Sequence, residues 1–227
     1  MSYRDLLFLT RFSVGSDRVL KHLLALRPAA AGRIPNRERT MTPQMDVCIE
    51  GFPYSANTFM TRVFEAWNPG VRLAHHVHVP LQLILAAEYE LPALALIREP
   101  ADAVTSMLDK DERLSPAAAL WVYERFYTRL RPVADALVFA PFDTVTRAPD
   151  RVLERINAKY GKRFAFRRYD AAEQERLFAR IDDAKVPKVP RSEAELARRQ
   201  RIRERIVADR RYPRCRHLYE TIADGLA

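Results

Sequence analysis

From residue 46 onward, short apolar runs alternate with longer stretches whose apolar positions recur three or four residues apart. The first pattern marks buried strands and the second amphipathic helices. Strands are predicted over 47–50, 71–77, 92–97 and 137–142. Phe59, Val63 and Trp67, with Met60 and Phe64 beside them, form one helical stripe that Asn68-Pro69-Gly70 stops. Further helices are expected over 81–90, entered through Pro80, and over 101–109. Ser115 and Pro116 supply an N-cap and a first-turn proline for a long helix reaching about residue 134. A last predicted helix over 149–160 turns Val152, Leu153 and Ile156 inward and ends at Gly161.

Repeated strand–helix units imply an α/β fold: a three-layer sandwich with a central, mostly parallel sheet. Ligands in such folds bind beyond the carboxyl ends of the strands. Residues 1–45 stand apart as a helical and linker extension. Leu6, Leu7, Val19, Leu20, Leu23, Leu24 and Leu26 line its amphipathic part, and 35–43 has the polarity of a linker. Residues 46–227 form the α/β domain, closing with a basic helical segment from about 185 to 227.

Charge sharpens the picture at that end. The chain carries a net charge of +9 over 227 residues. Between Lys185 and Arg216 there are 12 Lys/Arg against 4 Asp/Glu, so nearly all the excess sits there. Such a segment suits an anionic cofactor, an acidic acceptor, nucleic acid or a membrane surface, or is simply a solvated helix face. Tyr212 is its one aromatic residue, which argues against base stacking and hence against nucleic acid. There are two cysteines, too few for a disulfide framework, and a reducing, cytoplasmic location is expected. No run of 18 apolar residues exists, so no membrane span is expected.

Three stretches carry candidate chemistry. Gly51-Phe52-Pro53-Tyr54-Ser55-Ala56-Asn57-Thr58-Phe59 joins a strand to a helix through small and hydroxyl residues. Amide groups at a helix N-terminus make a phosphate cradle. The nucleotide-triphosphate loop, GxxxxGK followed by Ser or Thr, overlays Gly51 through Thr58 with Ala56 for the second Gly and Asn57 for the Lys. Without that Lys a γ-phosphate loses its usual counter-charge. The second stretch places Arg98 directly after an apolar strand and Ser106 two turns into the next helix, where both can reach one phosphate. The third is His75-His76-Val77-His78-Val79-Pro80; as a strand it would put His76 and His78 on one face and His75 on the other. Histidine suits a general base near neutral pH. A metal site competes weakly, since no further acid or cysteine ligand lies close by in sequence, and no metal is expected.

Together these elements resemble the sulfotransferase superfamily, whose donor is 3′-phosphoadenosine-5′-phosphosulfate (PAPS). Residues 51–59 are similar to its 5′-phosphosulfate loop, a Gly-x-Pro, a Lys or Arg, then Ser-Gly-Thr/Asn-Thr and an apolar residue. Residues 96–106 look like its 3′-phosphate motif, and 76–80 resemble the segment carrying its catalytic base. Residues 142–164, with Asp143 and the Gly161 to Phe164 ending, look like a later strand-plus-helix segment. The resemblance spans roughly 46–165 and implies a P-loop-NTPase-like architecture and transfer of a sulfuryl group to a hydroxyl or amine on a small-molecule or carbohydrate acceptor. By the same resemblance Pro53, Tyr54, Ser55, Ala56, Asn57 and Thr58 would cradle the 5′-phosphosulfate. Phe59 would lie near the adenine or in the core. Arg98 and Ser106 would hold the 3′-phosphate, His78 would take the acceptor proton, and Lys185, Lys188 and Arg191 would stand for a late basic loop over the 3′-phosphate.

The chain departs from the family at Tyr54, where a Lys or Arg is usual. Tyrosine donates one hydrogen bond but brings no charge near pH 7. Arg62, one helical turn from Thr58, either compensates or faces solvent. Ala56 for Gly matters only if the backbone there needs a positive φ. Three alternatives stay open: a relative that binds the nucleotide without transferring sulfate, a degenerate phosphotransferase, and a basic module for an anionic polymer. The acceptor and the oligomeric state are not legible in the chain.

Overall fold

The computed structural model describes residues 39–111, 113–180 and 192–225. Residues 1–38 of the predicted 1–45 extension and the candidate basic residues Lys185, Lys188 and Arg191 lie outside them. Among the described residues four strands form one all-parallel sheet: β1 (Val47–Gly51), β2 (Leu73–His75), β3 (Ala93–Ile97) and β4 (Val138–Pro141), in the order β2-β1-β3-β4. The α-helices of the described residues are α1 (Asn57–Trp67), α2 (Pro80–Glu88), α3 (Pro100–Leu108), α4 (Pro116–Thr128), α5 (Phe142–Arg147), α6 (Pro149–Tyr160), α7 (Ala171–Arg180), α8 (Glu193–Val207) and α9 (Tyr212–Asp224).

Strand alternation sorts the core into two halves. Val47, Ile49, Leu94 and Leu96 face a layer formed by Met60, Val63, Phe64 and Trp67 of α1 and Val152, Leu153 and Ile156 of α6. Cys48, Ala93, Ala95 and Ile97 face the opposite layer, built from α2, α3, α4, α8 and α9. Helices therefore cover both faces of the sheet, in three layers. Both strands β1 and β3 are wholly buried, which is why they lack polar alternation.

The chain leaves β1 along one face to reach β2 and leaves β3 along the other to reach β4. Where adjacent strands feed connections in opposite directions, a crevice opens at their carboxyl ends. Gly51 is paired with Leu96 across β1 and β3, so the 52–56 turn and Arg98 emerge at the same height. Gly51 is required at that register: a Cβ there would lie 2.9 Å from the Leu96 Cβ and clash with the Leu96 carbonyl.

Capping matches the sequence at several ends. Ser115 accepts the Ala118 amide at the start of α4, and Gly161 ends α6 at φ 60°. Elsewhere the structure corrects the reading. The 116–134 helix stops at Thr128 and gives way to a 3-10 turn, Arg131–Ala136, because Pro132 cannot donate the amide that an α-helix would need. The second strand is short, ending at His75 where the backbone turns left-handed. Met41 is buried, and its amide donates to Gln82 Oε1 at 2.6 Å, so the end of the predicted linker is packed against α2. Leu81, Leu83, Leu85, Val122 and Phe126 are buried in the core.

The described part of the basic C-terminal segment, 192–225, is docked on the domain. Ile202, Ile206, Tyr212, Cys215 and Leu218 are buried against α3 and α4. Around them Arg203 pairs with Asp102, Arg199 with Asp109 at 2.7 Å and Arg211 with Glu124 at 3.3 Å. Ser192 and Glu195 form a capping box at the start of α8, a device that contributes about 1 kcal/mol.

Candidate functional site

The turn after β1 folds tightly on itself. The Ser55 amide donates to the Phe52 carbonyl at 3.2 Å, and the Asn57 side-chain amide donates to the same oxygen at 3.0 Å. Two residues take left-handed backbone, Tyr54 and Ala56, both at φ 68°. Ala56 is the N-cap of α1 and offers its first-turn amides no side-chain acceptor. Ser55 is fully buried and its hydroxyl has no hydrogen-bond partner of proper geometry. That hydroxyl lies near the Tyr127 phenol, whose pKa burial drives well up and Ser55 offsets in part. An unmet hydroxyl beside uncapped helix amides is a donor set suited to a phosphate or sulfate. Asn57 Oδ1 is also unmet, but it only accepts and does not serve an anion.

Arg98 follows β3 and reaches back over this turn. Its Nη1 donates to the Tyr54 carbonyl at 3.0 Å, and its guanidinium carbon lies 4.0 Å from the centre of the Phe142 ring. Among the described residues it forms no ion pair, although Glu99 and Asp102 adjoin it in sequence. Burial and the nearby Arg199 lower its pKa from the usual arginine value. Tyrosines of α4 hold the backbone around it: Tyr123 donates to the Arg98 carbonyl and Tyr127 to the Leu96 carbonyl, each at 2.8 Å.

Ser106 is on the α3 face that meets α8, and its hydroxyl accepts from Arg199 Nη2 at 3.2 Å. Arg199 is a residue that motif spacing could not find: it lies 93 positions after Ser106 on a helix read only as basic. Its second nitrogen is held by Asp109.

The histidine segment is not a strand. His76 and His78 adopt φ 59° and 60°, so the expected two-faced alternation does not occur. Instead the three rings cluster, with His75 Nδ1 2.6 Å from His76 Nδ1 and His76 Nε2 3.0 Å from Thr58 Oγ1. The cause is Glu50, a fully buried carboxylate on β1. Its Oε2 accepts the amides of Val77 at 2.7 Å and His78 at 2.9 Å, and its Oε1 accepts the Gly51 amide at 3.1 Å. Burial raises the Glu50 pKa, but the His78 side chain and these amides outweigh it and leave the pKa below the usual carboxylate value. A glutamate inside an apolar strand is the one signal of this arrangement that the sequence carries.

His78 Nδ1 lies 3.0 Å from the Gly51 carbonyl oxygen and 3.4 Å from Glu50 Oε1. Both neighbours only accept, so Nδ1 carries a proton, and in the neutral ring the lone pair is on Nε2. Among the described residues, four of the five non-glycine positions with positive φ, Tyr54, Ala56, His76 and His78, thus fall in two segments flanking one strand end. Strain of that kind, about 1 kcal/mol or more per residue, concentrates at functional sites.

The remaining candidates sit as follows. Pro53 is part-buried within the turn. Tyr54 is two-fifths exposed; partial burial, with Asp109 and Asp111, raises its pKa and keeps it uncharged near neutrality. Phe59 packs toward Tyr169 and Phe178, at 6.3 and 6.4 Å between ring centres. Arg62 faces solvent and pairs with Glu65 at 3.0 Å, away from any compensating role. Asp143 is exposed, while Phe164 packs against Phe64 at 5.1 Å. Cys48 and Cys215 are free and buried, with both thiol pKa values raised by burial. Among the described residues no group of three or more His, Cys, Asp or Glu is placed to hold a metal ion, and no helix is long and apolar enough to cross a membrane.

No protein-family model matches the chain, and neither does any curated protein or solved structure.

Proposed function

We propose that the protein transfers a sulfuryl group from PAPS to a hydroxyl or amine acceptor and releases 3′-phosphoadenosine 5′-phosphate (PAP). One observation carries this reading: the 52–58 turn, with its unmet Ser55 hydroxyl, and Arg98 meet across the β1/β3 crevice, with the Ser106–Arg199 pair beside them. A ligand with anionic groups at two ends fits that layout better than one with a single phosphate chain. The helix N-terminus and Ser55 suit the 5′ end, and a guanidinium and a hydroxyl suit a 3′-phosphate.

The reaction asks little covalent chemistry of the protein. The acceptor oxygen or nitrogen attacks sulfur, the bond from sulfur to the 5′-phosphate oxygen breaks, and the electron pair stays on PAP. His78 Nε2 takes the acceptor proton, while Glu50 and the Gly51 carbonyl hold the opposite ring nitrogen in the required tautomer. Lys188 and Arg191 are proposed contributors to the donor site by sequence alone.

The test is transfer of labelled sulfate from PAPS to a panel of phenols, alcohols, amines and sugars, in wild type and His78→Ala. Transfer that His78→Ala lowers by about a hundredfold or more supports the reading. PAP binding without transfer to any acceptor favours a second reading, that of a nucleotide-binding relative, which the uncharged Tyr54 motivates.

A further inference from the structure

The sulfotransferase resemblance assigns the 5′ cation to position 54 and the 3′-phosphate to Arg98. This chain has neither arrangement: position 54 is an uncharged tyrosine, and the hydroxyl of Ser106 is held by Arg199. We infer that the two cationic roles have moved one step along, with Arg98 serving the 5′-phosphosulfate and Arg199 serving the 3′-phosphate. The inference rests on the PAPS reading above and deepens it.

Three observations support the Arg98 half. Its Nη1 is bonded to the carbonyl of Tyr54 itself, so the guanidinium is anchored on the very turn that lacks a cation. That bond uses one of five N–H donors and leaves the fork able to meet an oxyanion. The flat face rests on Phe142, which fixes its orientation. Finally, it is a part-buried guanidinium with no direct ion pair among the described residues, whereas Arg199, Arg203 and Arg211 each have a carboxylate partner. Asp102, Asp143 and Glu99 act on it only from a distance, and a part-buried charge without a bonded counter-ion suits an anionic ligand.

The Arg199 half is equally local. Its side chain is 18% exposed, Nη1 is held by Asp109, and Nη2 reaches Ser106 Oγ. Arginine and serine thus form one donor pair joining α3 to α8. In transfer, the bond from sulfur to the 5′-phosphate oxygen breaks and its electron pair remains on that oxygen. Arg98 offsets the charge gathering there, as the acceptor binds sulfur and its proton passes to His78 Nε2. No further reactant is needed.

Two ligands separate the assignments: PAP, with both phosphates, and 5′-AMP, with only the 5′-phosphate. Their affinities are measured by calorimetry on the full chain for wild type, Arg98→Gln, Arg98→Lys and Arg199→Gln, with circular dichroism to confirm folding. Arg98→Gln should weaken PAP and 5′-AMP by the same factor, about tenfold or more, so the preference for PAP survives. Arg98→Lys keeps the charge and should recover part of both affinities. Arg199→Gln should weaken PAP by about tenfold or more and leave 5′-AMP unchanged. The assignment is overturned if Arg98→Gln erases the PAP preference while sparing 5′-AMP, or if Arg199→Gln leaves that preference intact. A wild type with no preference for PAP overturns the underlying PAPS reading instead, and the two failures are thereby distinct.

Discussion

The carboxylate of Glu50 and the imidazole of His78 lie 3.4 Å apart at the carboxyl end of β1, and the same carboxylate accepts the amides that turn the chain at Val77 and His78. One buried side chain therefore fixes both the backbone and the ring of the proposed base. Glu50→Ala leaves one buried and two part-buried amides without an acceptor and should cost about 3–5 kcal/mol in urea unfolding. Glu50→Gln keeps an acceptor for the Val77 and His78 amides but not for Gly51, and should fold with a smaller loss than Glu50→Ala, with turnover reduced and PAP affinity unchanged. Its acid profile provides a second readout. The native pKa of Glu50 is depressed below its ordinary 4.5, so its contribution to stability is full above about pH 4.5 and is lost as pH falls through the native value. Unfolding curves from pH 5 to 2.5 should steepen less for Glu50→Gln than for wild type.

His76 predicts a second pH window. Burial, then the neighbouring His75 and His78, lower its pKa from 6.5 to about 4. The unfolded chain binds this proton at higher pH than the native protein does, so stability falls as pH drops from about 6.5 to 4. His75 is lowered in the same direction, and Glu50 opposes both shifts. Replacing His76 with Asn, which tolerates left-handed backbone, should reduce that slope without abolishing it. Urea unfolding at half-unit pH steps measures it.

Ala56 holds a conformation that costs an L-residue about 1–2 kcal/mol. Ala56→Gly removes that strain at some entropic cost and should stabilise the protein by about 1 kcal/mol or less. A raised urea midpoint with an unchanged slope is the expected result.

Gly51 predicts the opposite sign. Gly51→Ala forces a Cβ against the Leu96 carbonyl and should destabilise by about 1–3 kcal/mol. Because Gly51 and Leu96 are register partners beneath the crevice, PAP affinity should fall as well. Denaturation and calorimetry on the same variant check both effects.

The alternation of the wholly buried strands β1 and β3 with amphipathic helices was legible because parallel strands covered on both faces must be apolar throughout. Ser115, Gly161 and the Asn68-Pro69-Gly70 stop were legible because caps and turns depend on local residues. The His76 and His78 backbone was not, since its cause, Glu50, lies 26 and more positions earlier and acts through hydrogen bonds. Pro132 ended the α-helix sooner than apolar spacing implied. Arg199 was invisible for a related reason: helix docking selects it among the many arginines of α8, and no spacing in the sequence encodes the approach of α8 to α3.

Thermal unfolding of the purified full chain with PAP, with 5′-AMP and with Mg²⁺–ATP tests the central claim most directly. A ligand at about a hundred times its Kd adds about 2.7 kcal/mol, or several degrees in a domain of this size. The account predicts that shift with PAP and a much smaller one with 5′-AMP or Mg²⁺–ATP. Equal shifts with PAP and 5′-AMP, or a shift with Mg²⁺–ATP alone, would contradict it.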